Sequence, residues 1–275
     1  MTDEREWLAM STNSFKRTVS IFALLGAVAL AGCETTDADS LAVSERTSAA
    51  VELPDAPLGE DALSQATYWG ARYEQDPTNG DMAVQFSKAL RNLGSIDEAA
   101  SLMRRTAMEH PQDPAVLGEY SKSLITLRRG NDALQPLAQA IARDPDNWEL
   151  YSLEGVAYDQ IGNYDSATQS YEHALSVSPN NPNVLNNYGL SRAQAGDLEG
   201  AEAILRAAVG EPGATVQMRQ NLALVLGLQG RFDEAERFAR ADLPPEAVEN
   251  NVAYYRAMLT QSATWSDLEA SGDTE

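Results

Sequence analysis

A 34-residue period runs through most of this chain and constrains its fold more than any other feature. Pro77, Pro111, Pro145 and Pro179 stand 34 residues apart, and so do Ala99, Ala133, Ala167, Ala201 and Ala235. Gly94, Gly162, Gly196 and Gly230 keep the same phase, as do Gly155 and Gly189. A fixed period of this length marks one supersecondary unit repeated, each unit too small to bury its own apolar face and therefore stacked on its neighbours. The clearest copy runs from Trp148 to Asn181, WELYSLEGVAYDQIGNYDSATQSYEHALSVSPNN. Its first half places Tyr151, Gly155 and Tyr158 on one helical face by i, i+4, i+7 spacing, and its second half does the same with Ala167, Tyr171 and Ala174. Two antiparallel helices are expected. Small residues at 155 and 167 allow them to approach closely, with the tyrosines filling the space beside them. Gly162 suits the left-handed conformation that ends a first helix. Pro179 stops the second helix by disfavouring helix in the residue before it.

A 34-residue unit with aromatic, small and proline residues at these places resembles the tetratricopeptide family. The resemblance implies an all-α fold, a right-handed superhelical solenoid of about five helix-turn-helix repeats with a C-terminal capping helix. The solenoid is expected over 59–242, with copies at 80–113, 114–147, 148–181, 182–215 and 216–242, the last incomplete. Residues 60–76 carry a lone segment like the second helix of a repeat, with Tyr68, Trp69 and Tyr73. Two copies depart from the pattern: Arg128 stands where glycine is expected, with Gly130 two residues later, and Pro212-Gly213 replaces a proline at 213. Stacked repeats expose apolar surface at their ends. Pro245 followed by Val248, Val252, Tyr255, Met258 and Leu259 reads as an amphipathic capping helix over 243–260, with the proline in its first turn. Residues 261–275 return to Ser, Asp, Glu and Gly and are expected to be a disordered tail.

At the other end, Lys16 and Arg17 precede an apolar run from Val19 to Leu30 that closes in Ala31-Gly32-Cys33. This is the basic n-region and short h-region of a secretory signal, shorter than the ~20 apolar residues that span a bilayer. Leu30-Ala31-Gly32-Cys33 resembles the bacterial lipobox. That resemblance implies lipidation of the Cys33 thiol and removal of residues 1–32 as a signal peptide. Asp3, Glu4 and Glu6 put acids ahead of the n-region, so translation from Met10 gives a cleaner signal. Cys33 is the only cysteine, which rules out an intrachain disulfide. Residues 33–58, rich in Thr, Asp, Ser, Glu and Ala, cannot bury enough surface to offset ordering entropy and read as a flexible acidic tether. Glu34 follows the cysteine, where an aspartate retains some lipoproteins at the inner membrane. The expected location is therefore the periplasmic face of the outer membrane, ahead of the inner membrane.

Twenty basic residues against 41 acidic ones give a formal net charge of −21, which excludes nucleic acid as a partner, since that needs a dense Lys/Arg surface. His110 adjoins Pro111 at a helix end and His173 lies off the apolar face that holds Tyr171; neither has a second ligand at metal spacing. No phosphate-cradling Gly-rich loop, nucleophile elbow or HExxH occurs. The chain is read as a non-enzyme, with no catalytic residue, metal, cofactor or small-molecule substrate, and with protein as its partner.

In the tetratricopeptide family the first helix of each repeat lines a concave groove, roughly through its second, fifth, ninth, twelfth and thirteenth positions. On the last two repeats this carries over to Asn183, Asn186, Leu190, Gln194, Gln217, Gln220, Leu224 and Leu228. The peptide-groove candidates are Asn186, Asn187, Leu190, Gln220, Leu224 and Leu228: amides to bond an extended backbone, leucines to take its apolar side chains. The leucines can equally pack against neighbouring repeats or the cap. The family's basic clamp for a C-terminal carboxylate falls here on Val84, Lys88, Glu119, Glu149 and Leu153, which supply one cation.

The closing stretch is more specific. Residues 220–232, QNLALVLGLQGRF, with Ala241-Asp242-Leu243-Pro244-Pro245-Glu246 and Asn251-Val252-Ala253-Tyr254-Tyr255, are similar to the C-terminal part of TadD proteins. Those are lipoproteins of the tight-adherence (Flp) pilus machinery. The resemblance implies a lipid-anchored interaction module that helps assemble or localise the pilus secretin, or binds another Tad component. A lipoprotein scaffold for cell-envelope enzymes and a subunit of outer-membrane protein assembly remain open as alternatives.

Overall fold

Capping residues recur at the repeat period and fix where the helices start. In the computed structural model, which describes residues 56, 57 and 59–272, α1 (Ala62–Gln75) follows Asp61, whose carboxylate accepts from the Ser64 N–H. Asn79, Asp113, Asn147, Asn181 and Thr215 then cap α2 (Gly80–Leu93), α4 (Pro114–Thr126), α6 (Trp148–Gln160), α8 (Pro182–Gln194) and α10 (Val216–Leu228), each side chain accepting a first-turn backbone N–H. Between them lie α3 (Ile96–Glu109), α5 (Gly130–Arg143), α7 (Tyr164–Val177), α9 (Leu198–Gly210) and α11 (Phe232–Ala239). A last helix, α12, runs Pro245–Gly272. The described residues contain no strand.

The turn inside each repeat needs one residue in the left-handed region. Gly94, Gly162, Gly196 and Gly230 supply it with φ between +74° and +87°, and Arg128 adopts the same conformation at φ +60°. The missing glycine therefore leaves the turn unchanged, at a local cost of about 1–2 kcal/mol. Gly130 serves a different end. A Cβ there would lie 2.7 Å from the Ala157 carbonyl oxygen, so its absence lets α5 approach α6.

Each helix touches only those one or two places along the chain: a second helix packs on its own first helix and the next, and first helices pack in a row, α2–α4–α6–α8–α10. Such contacts make stability a sum over neighbours. Ala99, Ala133, Ala167, Ala201 and Ala235 are all fully buried where the paired helices cross. Large residues face small ones: the Tyr171 ring lies 2.7 Å from where a Gly155 Cβ would be, and Leu205 lies 2.6 Å from that of Gly189.

α12 packs on α10 and α11, in the place that the first helix of a sixth repeat would take. Val248 and Tyr255 are buried there, the Tyr255 ring lies against Gly227, and the Arg256 guanidinium sits 4.6 Å from the Phe232 ring centroid. The helix does not end near 260. It continues through the stretch expected to be a tail, because no glycine or proline interrupts residues 260–270 and Ala263, Leu268 and Ala270 favour helix. None of the described helices is long and apolar enough to cross a membrane. Cys33, the signal peptide and most of the 33–58 tether lie outside the described residues.

Candidate functional site

First helices meet along one side of the stack, and each junction carries its own polar tie. Between α2 and α4, buried Glu119 accepts from Ser87 Oγ at 2.9 Å and from Arg91 Nε at 2.8 Å and Nη2 at 3.1 Å. Between α4 and α6, Lys122 Nζ meets Glu149 at 2.8 Å, and Gln160 donates to the Ile125 carbonyl at 2.8 Å. Between α6 and α8, Ser191 Oγ donates to Asp159 at 2.6 Å and Asn187 Nδ2 to Ser152 Oγ at 3.3 Å. Between α8 and α10, Asn221 Nδ2 donates to Asn186 Oδ1 at 2.7 Å.

Asp159 also accepts from Tyr171 Oη at 2.8 Å. Burial pushes its carboxyl above the usual range, against the lowering effect of its Ser191 and Tyr171 donors. Burial, then Asp159 itself, raises the Tyr171 hydroxyl. A carboxyl whose folded-state pKa is raised contributes its full stability below the unfolded value of 3.8 and loses it as pH rises through the raised value. Asp159→Asn removes that loss. The melting temperature of the variant, measured against the parent, is expected to climb between about pH 4 and pH 7. A pH-independent difference would show that the carboxyl is not shifted upward.

The sequence-derived groove residues are thus distributed among several tasks. Asn186 and Asn187 bond each other at 3.3 Å and tie α8 to its neighbours, so their amides are not left to water. Both polar atoms of the Gln220 amide are enclosed and without a hydrogen bond among the described residues. Arg219 holds the nearby Asp242 carboxyl below the usual range through a two-pronged ion pair of 2.6 and 2.7 Å, to which Gln220 adds a smaller effect short of hydrogen-bond geometry. Leu224 packs against the C-terminal core of α9 to α12. Leu190 on α8 and Leu228 on α10 remain half-exposed, as do Leu153 and Val156 on α6, which also pack against the core of α4 to α6.

A cleft of about 150 Å³ opens further towards the N-terminal end, floored by Val84, Gly118 and Leu150 and edged by Lys88 and Lys122. The sequence reading does not include Lys122, although it stands 34 residues after Lys88. Nearby Arg91 is neutralised by Glu119 and Lys122 by Glu149, whereas Lys88 has no ion pair among the described residues. His110 Nε2 lies 2.8 Å from the Thr78 carbonyl oxygen, and exposed His173 stacks on Tyr151 at 3.9 Å. No group of three or more metal-ligating side chains occurs among the described residues.

Tetratricopeptide repeat models match residues 38–148, 121–182, 153–216 and 221–241. The Sinorhizobium fredii protein y4yS, itself uncharacterized, is 26% identical over 72% of this chain and 96% of its own length. Caulobacter vibrioides protein FlbA is 23% identical over 60% of this chain, and the match spans only 29% of FlbA. Among solved structures, TTC0263, a thermophilic TPR protein from Thermus thermophilus, superposes with a TM-score of 0.58 at 25% identity, over 65% of this chain and 100% of that one.

Proposed function

Because the chain is a tetratricopeptide-repeat protein, we propose that it serves as a protein-interaction module, anchored through lipid on Cys33 to the periplasmic face of the outer membrane, where it helps assemble or localise the secretin of a Flp pilus machine. The observation that carries the binding reading is that Leu190 and Leu228, with Leu153 and Val156, stay half-exposed on the first helices of the last three repeats. Apolar side chains left half-exposed on the same helices as exposed Asn183, Gln194 and Gln217 suit an extended segment with alternating apolar side chains. The anchor rests on Leu30-Ala31-Gly32-Cys33, and the pilus assignment on the TadD-like closing stretch. Two or three acyl chains, at about 0.8 kcal/mol per buried methylene, hold a protein firmly where one does not.

The test is capture of the pilus secretin from native membranes. Leu190→Ser combined with Leu228→Ser is expected to cut capture about tenfold or more, through loss of apolar burial, while the helical circular dichroism signal is kept. Asn186 is the poorer probe, since its loss also breaks the tie to α10. Cys33→Ser is expected to abolish palmitate labelling and membrane association of the same chain. Undiminished capture by a folded double variant would place the partner elsewhere, and labelling that persists in Cys33→Ser would sink the anchor.

A further inference from the structure

The third repeat departs from the other four at one pair of positions that bears on ligand binding. At the seventh position of the first helix stand Phe86, Tyr120, Tyr188 and Leu222 in four repeats, and at the twenty-third position of the same repeats stand Leu102, Pro136, Ile204 and Phe238. The apolar seventh residues pack into cores: Phe86 lies against Tyr73 of α1, Tyr188 stacks on Tyr171 of α7, Tyr120 joins the cores on either side of α4, and Leu222 is fully buried. In the third repeat the two positions are Glu154 and Ser170, and Ser170 Oγ donates to Glu154 Oε2 at 2.8 Å. Replacing a packed apolar pair by a carboxylate and a hydroxyl brings no stability that the other four repeats lack. It leaves a cleft of about 210 Å³ between α6 and α7, walled by Tyr151 and Tyr158 on one side and Gln169 and His173 on the other. Glu154 Oε1 accepts no hydrogen bond among the described residues.

Charge points the same way. From Asp144 to Ser191 the chain has seven acidic residues and no lysine or arginine, so no ammonium or guanidinium group of this segment reaches Glu154. Burial raises the Tyr151 hydroxyl, and the charges of Glu154 and Asp146 add to it. A carboxylate between tyrosine rings, without a cation of its own, is the surrounding that a guanidinium group favours, forking to the carboxylate while its plane lies on an aromatic face. We propose that this cleft is a second binding site, separate from the first-helix leucines, and that it takes an arginine side chain of a partner protein.

The experiment titrates the purified full chain with acetyl-Gly-Arg-Gly-amide and with the same tripeptide carrying citrulline, which has the shape of arginine and no charge. Amide resonances of Ser166, Gln169, Ser170 and His173 are followed by NMR. The arginine peptide is expected to shift them saturably and the citrulline peptide to leave them in place. Glu154→Gln keeps the size of the side chain and should weaken binding at least fivefold; Tyr158→Leu should weaken it as well. Glu172→Gln removes an equal charge outside the cleft and should change binding less than twofold. Equal weakening by Glu154→Gln and Glu172→Gln would mean general attraction to an acidic protein and would overturn the site. Citrulline binding as tight as arginine, or shifts confined to the first-helix leucines, would overturn it too.

Discussion

Tyr171→Ala is expected to destabilise the chain by about 3–5 kcal/mol, the range for removing a large buried aromatic side chain. The ring is fully buried, stacks on Tyr188 with centroids 5.6 Å apart, and fills the hollow over Gly155. Gly155 has no side chain to move into the void, so the site cannot collapse. The hydroxyl adds a second effect, because its loss takes one of two donors from the partly buried carboxyl of Asp159. Tyr171→Phe separates the two, and should cost about 1–3 kcal/mol from the unpaired acceptor alone. Urea unfolding followed by circular dichroism measures both. Since each repeat leans only on its neighbours, the alanine variant should also unfold in two steps, the repeats on either side of α7 parting company. A loss below about 1 kcal/mol for Tyr171→Ala would show that the third repeat is not packed around this ring.

Gly227→Ala is expected to release the terminal helix. A Cβ at 227 would fall 2.3 Å from Tyr255 Cδ2, 2.6 Å from Cγ and 3.0 Å from Cβ. These atoms are the base of the side chain, not a flexible end, so α12 itself must move. Undocking forfeits the burial of Val248 and Tyr255, about 1.5–3 kcal/mol each, for a total of about 3–6 kcal/mol. Hydrogen exchange across Glu249–Arg256 reads the outcome directly: protection in the parent, rapid exchange in the variant. Gly210→Ala is the control, because nothing lies within 4 Å of its added Cβ and its backbone is helical, so a small gain is expected. Equal protection in Gly227→Ala and the parent would mean that α12 does not dock through Tyr255.

Much of this architecture is legible in the residues because the period enforces it. The alanines at 99, 133, 167, 201 and 235 announce the helix crossings, and the left-handed turn is so firmly set by the stack that Arg128 follows it without a glycine. The end of α12 is not legible in the same way. Composition alone makes residues 261–275 look unstructured, whereas helix propagates through a stretch without a breaker, here as far as Gly272. The amide contacts escape a sequence reading for a different reason. Asn186 meets Asn221 across 35 residues, one more than the period, so the pairing joins fifth and sixth positions of successive repeats. That offset comes from the rotation of one repeat on the next, which a set of equivalent positions does not contain. The Glu154 cleft is visible in sequence only as a departure, once the seventh positions are read against one another and the odd one is asked what it displaced.

The polar ties between first helices also bear on how the chain avoids slipping. Repeats of equal length and similar surface can in principle stack out of turn, with one unit skipped or exchanged with that of a second chain. Here a skipped unit would set the buried carboxylate of Glu119 against a helix that offers no Arg91, and Asp159 against one that offers no Ser191. A buried charge deprived of its partner costs about 3–5 kcal/mol, comparable to the whole stability of a small domain. Each junction thus carries a distinct address, and a chain whose backbone is nearly periodic acquires a single order of assembly.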